Sequence, residues 1–372
     1  MEVRLVDEPA EVMQALTAVD APTVGVDVER ADGHRYVREA ALVQVGVAGC
    51  CIILDPLALD DLEPLASFLR GRLTVLHALE NDLEPLASAG ATLVDDQGTP
   101  AQLADTAIAA AVLGLPTGLA PLLEQVLGVR LSGDKARYQR ADWSRRPLTD
   151  DMLAYAAGDV VHLPRLWEAL SAQLDDLART SWYQQELAAT VEHVPEQARS
   201  WGRTRGLGRL DGHGRAVLRA VWDEREAIAR EEDLAPQRVA RDDTLIAIAA
   251  DPPATLSVLR RRGLDGRQLR EHGHRLLAAI RRGASSPDEP SPSGLRRADD
   301  DDRAAHDRMR RARARVADEL GVDPGFLCPG RVLWTAALSD PSSPDELVEA
   351  AGLRPWQREL LADVLWEAYT GT

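Results

Sequence analysis

The stretch TVGVDVERADG, residues 23–33, places two carboxylates, Asp27 and Glu29, at the end of a run of small apolar residues. Side chains two positions apart on a β-strand point to the same face, so these two share one face and the neighbouring valines share the other. Two adjacent carboxylates repel each other, and both ionise easily only when a cation lies beside them. Taken alone, the stretch leaves two interpretations open: a strand end that emerges into solvent with two surface charges, or a strand that ends in a cation site.

Short β-branched runs surround this stretch and are separated by Gly, Asp and Pro residues, which favour turns. The runs TVGVDVE, AALVQVGVA and CCIILDP predict a meander of three strands, and LTVLHA predicts a fourth strand at 73–78. ATLVDD, residues 91–96, is a less regular candidate for a fifth strand. Apolar residues at helical spacing predict helices over 61–70, 80–89, 103–113, 119–127 and 149–175. This mixture over about 180 residues is typical of one α/β domain.

The sequence after about residue 205 predicts helices only, as in RAVLRAVWDEREAIAREED, where apolar residues recur at helical spacing. Residues 284–302 are rich in proline, serine and acidic residues, cannot build a core, and predict a mobile linker. The helical segments on either side of this linker loosely repeat each other, which indicates two small modules. We therefore expect an α/β domain over 1–200, a helical domain over 205–283 and a second one over 303–372.

The composition predicts a cytoplasmic protein with several domains. The chain has 372 residues, of which 45% are hydrophobic, enough to form more than one core. The cysteines, Cys50, Cys51 and Cys328, form no CxxC pair, which argues against a disulfide scaffold or a zinc site and favours a reducing compartment. The N-terminus MEVRLVDEPAEV does not resemble a signal peptide, and no apolar run approaches the roughly 18 residues of a membrane span.

The charge is distributed unevenly along the chain. A net charge of −17 argues against binding to nucleic acid, which is itself negative. Residues 201–285, however, carry 17 basic and 12 acidic residues, with arginines clustered at 203–209, 259–262 and 280–282. Two interpretations of this basic segment stay open: phosphate contacts with a polyanion, or ordinary solvated helix faces.

Three residues further along the chain extend the acidic pattern. Asp82 starts a predicted helix directly after LTVLHA, although acidic residues are common at helix starts for capping alone. Tyr155 and Asp159 are four residues apart and share a helix face, as an exposed tyrosine–aspartate pair also would. Hard divalent cations prefer several oxygen ligands, and two such ions together can hydrolyse a phosphodiester. Four converging carboxylates would suit that chemistry.

An ordered set of five residues resembles the DEDD superfamily of 3′→5′ exonucleases, tyrosine subclass: Asp27-x-Glu29, Asp82 and Tyr155-x-x-x-Asp159. Three segments narrow the resemblance to the ribonuclease D family, because they are similar to its motifs. These segments are DVERADGHRYVREAALVQVG, LHALENDLEPL and ADWSRRPLTDDMLAYAAGDVVHLPRLW. Segment 212–283 resembles the HRDC domain (helicase and RNase D C-terminal), and 303–370 resembles a more divergent second copy.

The resemblance implies an RNase H-like α/β nuclease core, with a mixed sheet and flanking helices, followed by two small all-α HRDC-like modules. It also implies a metal-dependent 3′→5′ exoribonuclease that releases nucleoside 5′-monophosphates. The implied substrate is RNA with a free 3′ end, above all tRNA precursors, in tRNA 3′-end maturation or RNA turnover. The implied cofactors are two divalent metal ions, Mg²⁺ or Mn²⁺. Tyr155 orients the attacking water in this scheme, and the metal ligands are Asp27, Glu29, Asp82 and Asp159.

Two departures from the family pattern concern substrate contacts. Arg30 stands directly after the Asp-x-Glu pair, where the family often has an aromatic residue. The segment LSGDKARYQRADW is longer than expected, which leaves the roles of Lys135 and Arg137 open. His77 and His162 are interpreted as ordinary structural residues.

Two other function classes stay open. The first is a 3′→5′ DNA exonuclease with a related core, although the chain lacks the GxxxxGK[ST] motif of the helicases to which such cores are fused. The second is a non-catalytic RNA-binding protein on the same fold, and the intact acidic set argues against it. Parallel assays on RNA and DNA separate the enzymes, and metal dependence separates both from the binding protein.

Overall fold

The structure is a computed structural model that describes residues 1–30, 35–37, 39–93, 102–131, 138, 141–193, 199–291 and 298–371. These residues form two compact units. The first contains residues 1–30, 39–193 and 298–371, and the second contains residues 35–37 and 199–291. Among the described residues, every helix is too short or too polar to span a membrane.

A mixed six-stranded sheet forms the centre of the first unit, in the order β1-β4-β3-β2-β5-β6. The strands are β1 (Glu2–Val6), β2 (Thr23–Arg30), β3 (Ala40–Val47), β4 (Cys50–Leu54), β5 (Leu73–Leu76) and β6 (Leu103–Asp105). The predicted meander is confirmed, because β3 pairs antiparallel with both β2 and β4. The other three pairings, β1 with β4, β2 with β5 and β5 with β6, are parallel.

Helices cover both faces of this sheet. Three of them pack against the valines of β2 on one face: α1 (Pro9–Thr17), α2 (Glu63–Leu69) and α3 (Leu83–Ser88). The other face is covered by α4 (Thr106–Leu113), α5 (Leu119–Leu127), α6 (Asp150–Val160), α7 (Leu163–Asp176) and α8 (Thr180–His193). The strands therefore lie between two layers of helices. The carboxylates of β2 face the layer that contains α4, α5, α6, α7 and α8.

The structure corrects several predicted elements. Residues 91–93 of the predicted fifth strand are not in a strand, and 94–96 lie outside the described residues. The sixth strand instead occupies Leu103–Asp105, where the sequence predicted the start of a helix. Asp105 ends that strand and caps α4, because its side chain accepts hydrogen bonds from the first backbone N–H groups of the helix.

Three further elements were not predicted at all, and two helices were predicted as one. The strand β1 and the helices α1 and α8 have no counterpart in the sequence-based prediction. The predicted helix over 149–175 is two helices, α6 and α7, and Pro164 lies in the first turn of α7, where no backbone N–H is needed.

The C-terminal residues of the first unit form five helices: α14 (Asp300–Leu320), α15 (Pro324–Leu327), α16 (Gly330–Leu338), α17 (Pro344–Ala350) and α18 (Pro355–Thr370). Their N-terminal boundary lies within the predicted linker 284–302, since α14 starts at Asp300 behind the cap residue Asp299. Residues 292–297 of that linker lie outside the described part of the chain.

This C-terminal module packs directly on α8 of the nuclease core. Trp356 is buried and stacks against Trp182, with ring centroids 4.8 Å apart. The indole N–H of Trp356 donates to the carboxylate of Glu186 at 2.8 Å, and the guanidinium of Arg354 lies 3.3 Å from the same carboxylate. The module therefore belongs to the same compact unit as the nuclease core, and its own buried apolar residues form a separate cluster.

Trp356→Ala is expected to destabilise the first unit strongly. It removes a buried aromatic ring and leaves the buried carboxylate of Glu186 without its indole donor, and large-to-small core changes of this kind typically lose about 3–5 kcal/mol. Urea denaturation followed by tryptophan fluorescence measures the loss. Trp356→Phe, which keeps one buried aromatic ring but loses the pyrrole ring with its N–H, serves as the comparison and should lose less. A loss below about 1 kcal/mol for Trp356→Ala would contradict this packing role.

The second unit is helical, with α9 (Gly212–Glu231), α10 (Pro236–Val239), α11 (Asp242–Ala250), α12 (Leu256–Arg261) and α13 (Gly266–Ala284). Its core contains the predicted apolar residues Val217, Leu218 and Val221. Residues 35–37 also belong to this unit, where the ring of Tyr36 lies beneath the guanidinium of Arg199 at 4.5 Å. Residues 35–37 thus pack within the helical unit.

Candidate active site

The strand β2 carries two of the predicted site residues on one face. Asp27 and Glu29 alternate with buried valines, which point into the layer covered by α1, α2 and α3. Gly25 occupies the same face as the two carboxylates, two residues before Asp27. The period-two pattern of the sequence therefore produces a face with a bare glycine followed by two acidic side chains.

Two glycines allow α6 to approach this face. Gly25 and Gly46 are register partners on β2 and β3, so both open the same patch of the sheet. A Cβ atom at Gly25 would overlap the carbonyl oxygen of Val160, and one at Gly46 would overlap its side chain. Since Val160 ends α6, this close approach brings the adjacent Asp159 to the carboxylates of β2.

Three carboxylates converge as a result. One ligand atom from each of Asp27, Glu29 and Asp159 lies within 4.8 Å of the other two. The hydroxyl of Tyr155, one turn earlier on α6, donates a hydrogen bond to Asp159. The ring of Tyr155 packs against Trp143, with centroids 6.2 Å apart, so its hydroxyl is held at the edge of the cluster.

Asp82 lies beside this group rather than within it. It directly precedes α3 and is only 3% exposed, and burial together with the nearby charge of Asp27 raises the pKa of its carboxyl. Its Oδ2 atom is buried and has no hydrogen-bond partner among the described residues. An orphaned carboxylate oxygen beside three other carboxylates fits a site that binds a cation.

Asp105 fixes the position of the turn that leads to Asp82. The sequence analysis did not identify this residue. Its buried carboxylate accepts hydrogen bonds from the backbone N–H groups of Leu79 at 2.6 Å and Ala107 at 2.7 Å. It thereby ties the turn that leads to Asp82 to the start of α4. The signal in the sequence was an aspartate at the end of an apolar run, followed by Thr106, which is typical of a helix cap.

The carboxylates of the cluster hold their protons unusually tightly. Burial and the nearby charges of Asp27 and Asp159 raise the pKa of Glu29 to about 9. Burial raises the pKa of Asp27 to about 6, and burial together with Asp27 raises that of Asp82 well above its ordinary value. A divalent cation would relieve this repulsion, and an all-oxygen set of ligands fits hard ions such as Mg²⁺ and Mn²⁺.

The histidines and basic residues named from the sequence lie elsewhere or outside the described chain. The Nδ1 atom of His77 lies 2.9 Å from the hydroxyl of Thr106, and His162 lies between α6 and α7. Burial lowers the pKa of His162. Lys135 and Arg137 lie outside the described residues.

Family models match most of the chain. A model described as a 3′-5′ exonuclease matches residues 3–175, and the HRDC domain model matches 214–280 and 302–369. The predicted order of a nuclease core followed by two HRDC modules is thereby confirmed.

Curated relatives and solved structures agree with these models. The chain is 33% identical to ribonuclease D of Jannaschia sp. over 74% of this chain and 72% of that protein. It is 31% identical to ribonuclease D of Pseudomonas paraeruginosa over 93% of this chain and 92% of the relative. The crystal structure of Escherichia coli RNase D matches with a TM-score of 0.78 and 26% identity, over 100% of this chain and 99% of the other. The chain therefore belongs to the ribonuclease D family of 3′→5′ exoribonucleases.

Proposed function

We propose that this protein removes nucleotides one at a time from the free 3′ end of RNA and releases nucleoside 5′-monophosphates, with two divalent cations as cofactors. The observation that carries the proposal is the convergence of Asp27, Glu29 and Asp159, whose ligand atoms lie within 4.8 Å of one another. Family membership supports the reaction class, and the three carboxylates with Tyr155 supply the groups that this reaction needs.

In this proposal four carboxylates hold the cations. Asp27, Glu29 and Asp159 form the shared cluster, and Asp82 contributes its orphaned oxygen from the side. Two divalent cations in such a site supply a Lewis acid for the phosphate, a more acidic water, and charge stabilisation for the leaving oxygen. Mg²⁺ and Mn²⁺ are the proposed ions, because the ligands are carboxylate oxygens.

Tyr155 orients the attacking water. Burial and the neighbouring carboxylates raise the pKa of its phenol above the ordinary value, so the hydroxyl stays protonated at neutral pH and is not a general base. It donates to Asp159, and its oxygen can accept a hydrogen bond from water. The water attacks the terminal phosphorus, the bond to the preceding O3′ breaks, and a nucleoside 5′-monophosphate leaves.

The proposed substrates are tRNA precursors and other RNAs with a free 3′ end. The E. coli relative is described as an exoribonuclease involved in structured RNA processing. The arginines of the second unit support such a substrate. Six of them have exposed side chains with no ion pair or hydrogen bond among the described residues: Arg203, Arg205, Arg209, Arg260, Arg261 and Arg281.

Other arginines of the basic segment are already neutralised by the protein. The guanidinium of Arg275 lies 2.8 Å from Glu224 and 2.6 Å from Glu231, and that of Arg282 lies 2.7 Å from Glu224. The net positive charge of residues 201–285 is therefore concentrated on the exposed arginines. These are available for phosphate contacts, which do not depend on base sequence.

A 5′-labelled tRNA precursor with a 3′ extension tests the proposal. In Mg²⁺ we expect a ladder of products that shorten one nucleotide at a time from the 3′ end, together with free nucleoside 5′-monophosphates. The same RNA in EDTA should stay intact, and a DNA strand of equal sequence should be degraded more slowly. Internal cuts, nucleoside 3′-monophosphates or equal activity in EDTA would contradict the proposal, and faster degradation of DNA would favour a DNA exonuclease.

A further inference from the structure

Gln44 is a buried polar residue whose amide has no partner. Its side chain is 0% exposed, and neither Oε1 nor Nε2 forms a hydrogen bond with any part of the chain that the structure describes. A buried amide without partners is costly and rare in folded proteins, so it calls for a specific explanation.

The register of the sheet shows which groups lie beside Gln44. On β2 its partner is Asp27, and on β4 its partner is Ile53. Along β3 the residues on the same face are Leu42 and Gly46, two positions away on either side. Three of these four neighbours are apolar, and the fourth is the Asp27 carboxylate, whose Cβ atom is expected within about 4.5–5.5 Å of that of Gln44.

Helix α6 closes the face above Gln44. Val160 packs against Gly25 and Gly46 with no room for a Cβ atom at either glycine. Two further α6 residues in this layer, Ala156 and Ala157, are fully buried and apolar. Solvent is therefore excluded from Gln44, and the register of the sheet places the Asp27 carboxylate beside its amide.

We propose that Gln44 is a positioning residue for the metal site: its amide N–H donates to the ionised carboxylate of Asp27 when that carboxylate binds a divalent cation. This inference rests on the proposed function. A carboxylate that binds a cation through one oxygen has its second oxygen free to accept, and a hydrogen bond to a charged acceptor is stronger than a neutral one. Such outer hydrogen bonds orient metal ligands.

A matched pair of variants separates this role from simple burial. Gln44→Leu removes the amide and keeps a similar volume. Thr74→Val removes another polar group of the same sheet that is 0% exposed and has no partner among the described residues. Thr74 is the register partner of Val24, so it lies on the face away from the carboxylates. Loss of a buried, unpaired polar group should leave both metal-free proteins at least as thermostable as the wild type.

The full chain is titrated with Mn²⁺ by isothermal calorimetry after removal of metals with EDTA. We expect Gln44→Leu to bind Mn²⁺ about tenfold more weakly than the wild type, and Thr74→Val to bind it equally well. The Mg²⁺ concentration for half-maximal RNA hydrolysis should rise by a similar factor. Binding of Mn²⁺ by Gln44→Leu within about twofold of the wild type would overturn the inference.

A second variant covers the possibility that Gln44→Leu does not fold. Gln44→Met has an unbranched side chain of similar length, and the same tenfold loss is expected of it. Failure of the proposed function itself looks different, because then the wild type and Thr74→Val would also fail to bind Mn²⁺.

Discussion

Asp27→Asn is expected to abolish nucleotide release and, at the same time, to raise the melting temperature of the metal-free protein. In the proposed mechanism this carboxylate holds a cation whose charge stabilisation is worth several kcal/mol, so its loss corresponds to a rate loss of about 10³-fold or more. Without metal the same carboxylate repels Glu29, and this repulsion helps to raise the pKa of Glu29 to about 9. The amide removes that repulsion.

Hydrolysis of a 5′-labelled RNA oligomer and thermal unfolding in EDTA at pH 8 measure the two effects. Asp20→Asn is the matched control, since Asp20 is exposed and the charge change is identical. It should leave both activity and melting temperature unchanged. Retained activity in Asp27→Asn would refute the metal-ligand role, and a lower melting temperature in EDTA would refute the repulsion.

Burial of Glu29 and its repulsion by Asp27 and Asp159 together predict the pH dependence of stability without metal. Glu29 has an ordinary pKa of 4.5 when unfolded and about 9 when folded, so the folded state holds this proton more tightly. Its contribution to stability is fully present below about pH 4.5 and is lost as the pH rises through about 9. Saturating Mg²⁺ should restore the melting temperature most strongly at the alkaline end of this window.

Tyr155→Phe is expected to lower kcat by about 10²-fold or more while leaving RNA affinity within about twofold. Only the hydroxyl is lost, because the phenylalanine ring can keep the packing against Tyr138 and Trp143. The hydroxyl orients the attacking water in the proposed mechanism, so its removal affects the chemical step.

Single-turnover hydrolysis of RNA measures the chemical step, and fluorescence anisotropy in Ca²⁺ measures binding. Tyr369→Phe makes the same atomic change in the C-terminal module and should match the wild type in both assays. A Tyr155→Phe protein with normal single-turnover rates would exclude Tyr155 from the reaction.

The sequence predicted the parts of the site that depend on local spacing. Asp27 and Glu29 share a face because strand side chains alternate, and Tyr155 and Asp159 share a face because helical residues four apart are neighbours. The approach of α6 to β2 was not predictable in this way. It depends on the register partners Gly25 and Gly46, and a single sequence does not show which helix packs on such a pair.

The errors in the fold have similar causes. The three residues of β6 are too few for a period-two pattern, and their strand pairing with β5 outweighed the helical spacing of 103–113. The packing of Trp356 on Trp182 joins segments that are far apart in the chain, so the C-terminal module looked like an independent domain in the sequence. Asp105 was missed because the helical spacing placed it inside the predicted helix 103–113, whereas in the structure it ends β6 and caps α4.

Crystals of the full chain soaked in Mn²⁺, with anomalous diffraction collected near the manganese absorption edge, show whether the carboxylate cluster binds cations. We expect anomalous density between the carboxylates of Asp27, Glu29 and Asp159, with a second peak on the side of Asp82, and Tyr155 oriented towards a bound water. Absence of anomalous density at these carboxylates, at a Mn²⁺ concentration that supports nucleotide release in solution, would contradict the proposed metal site.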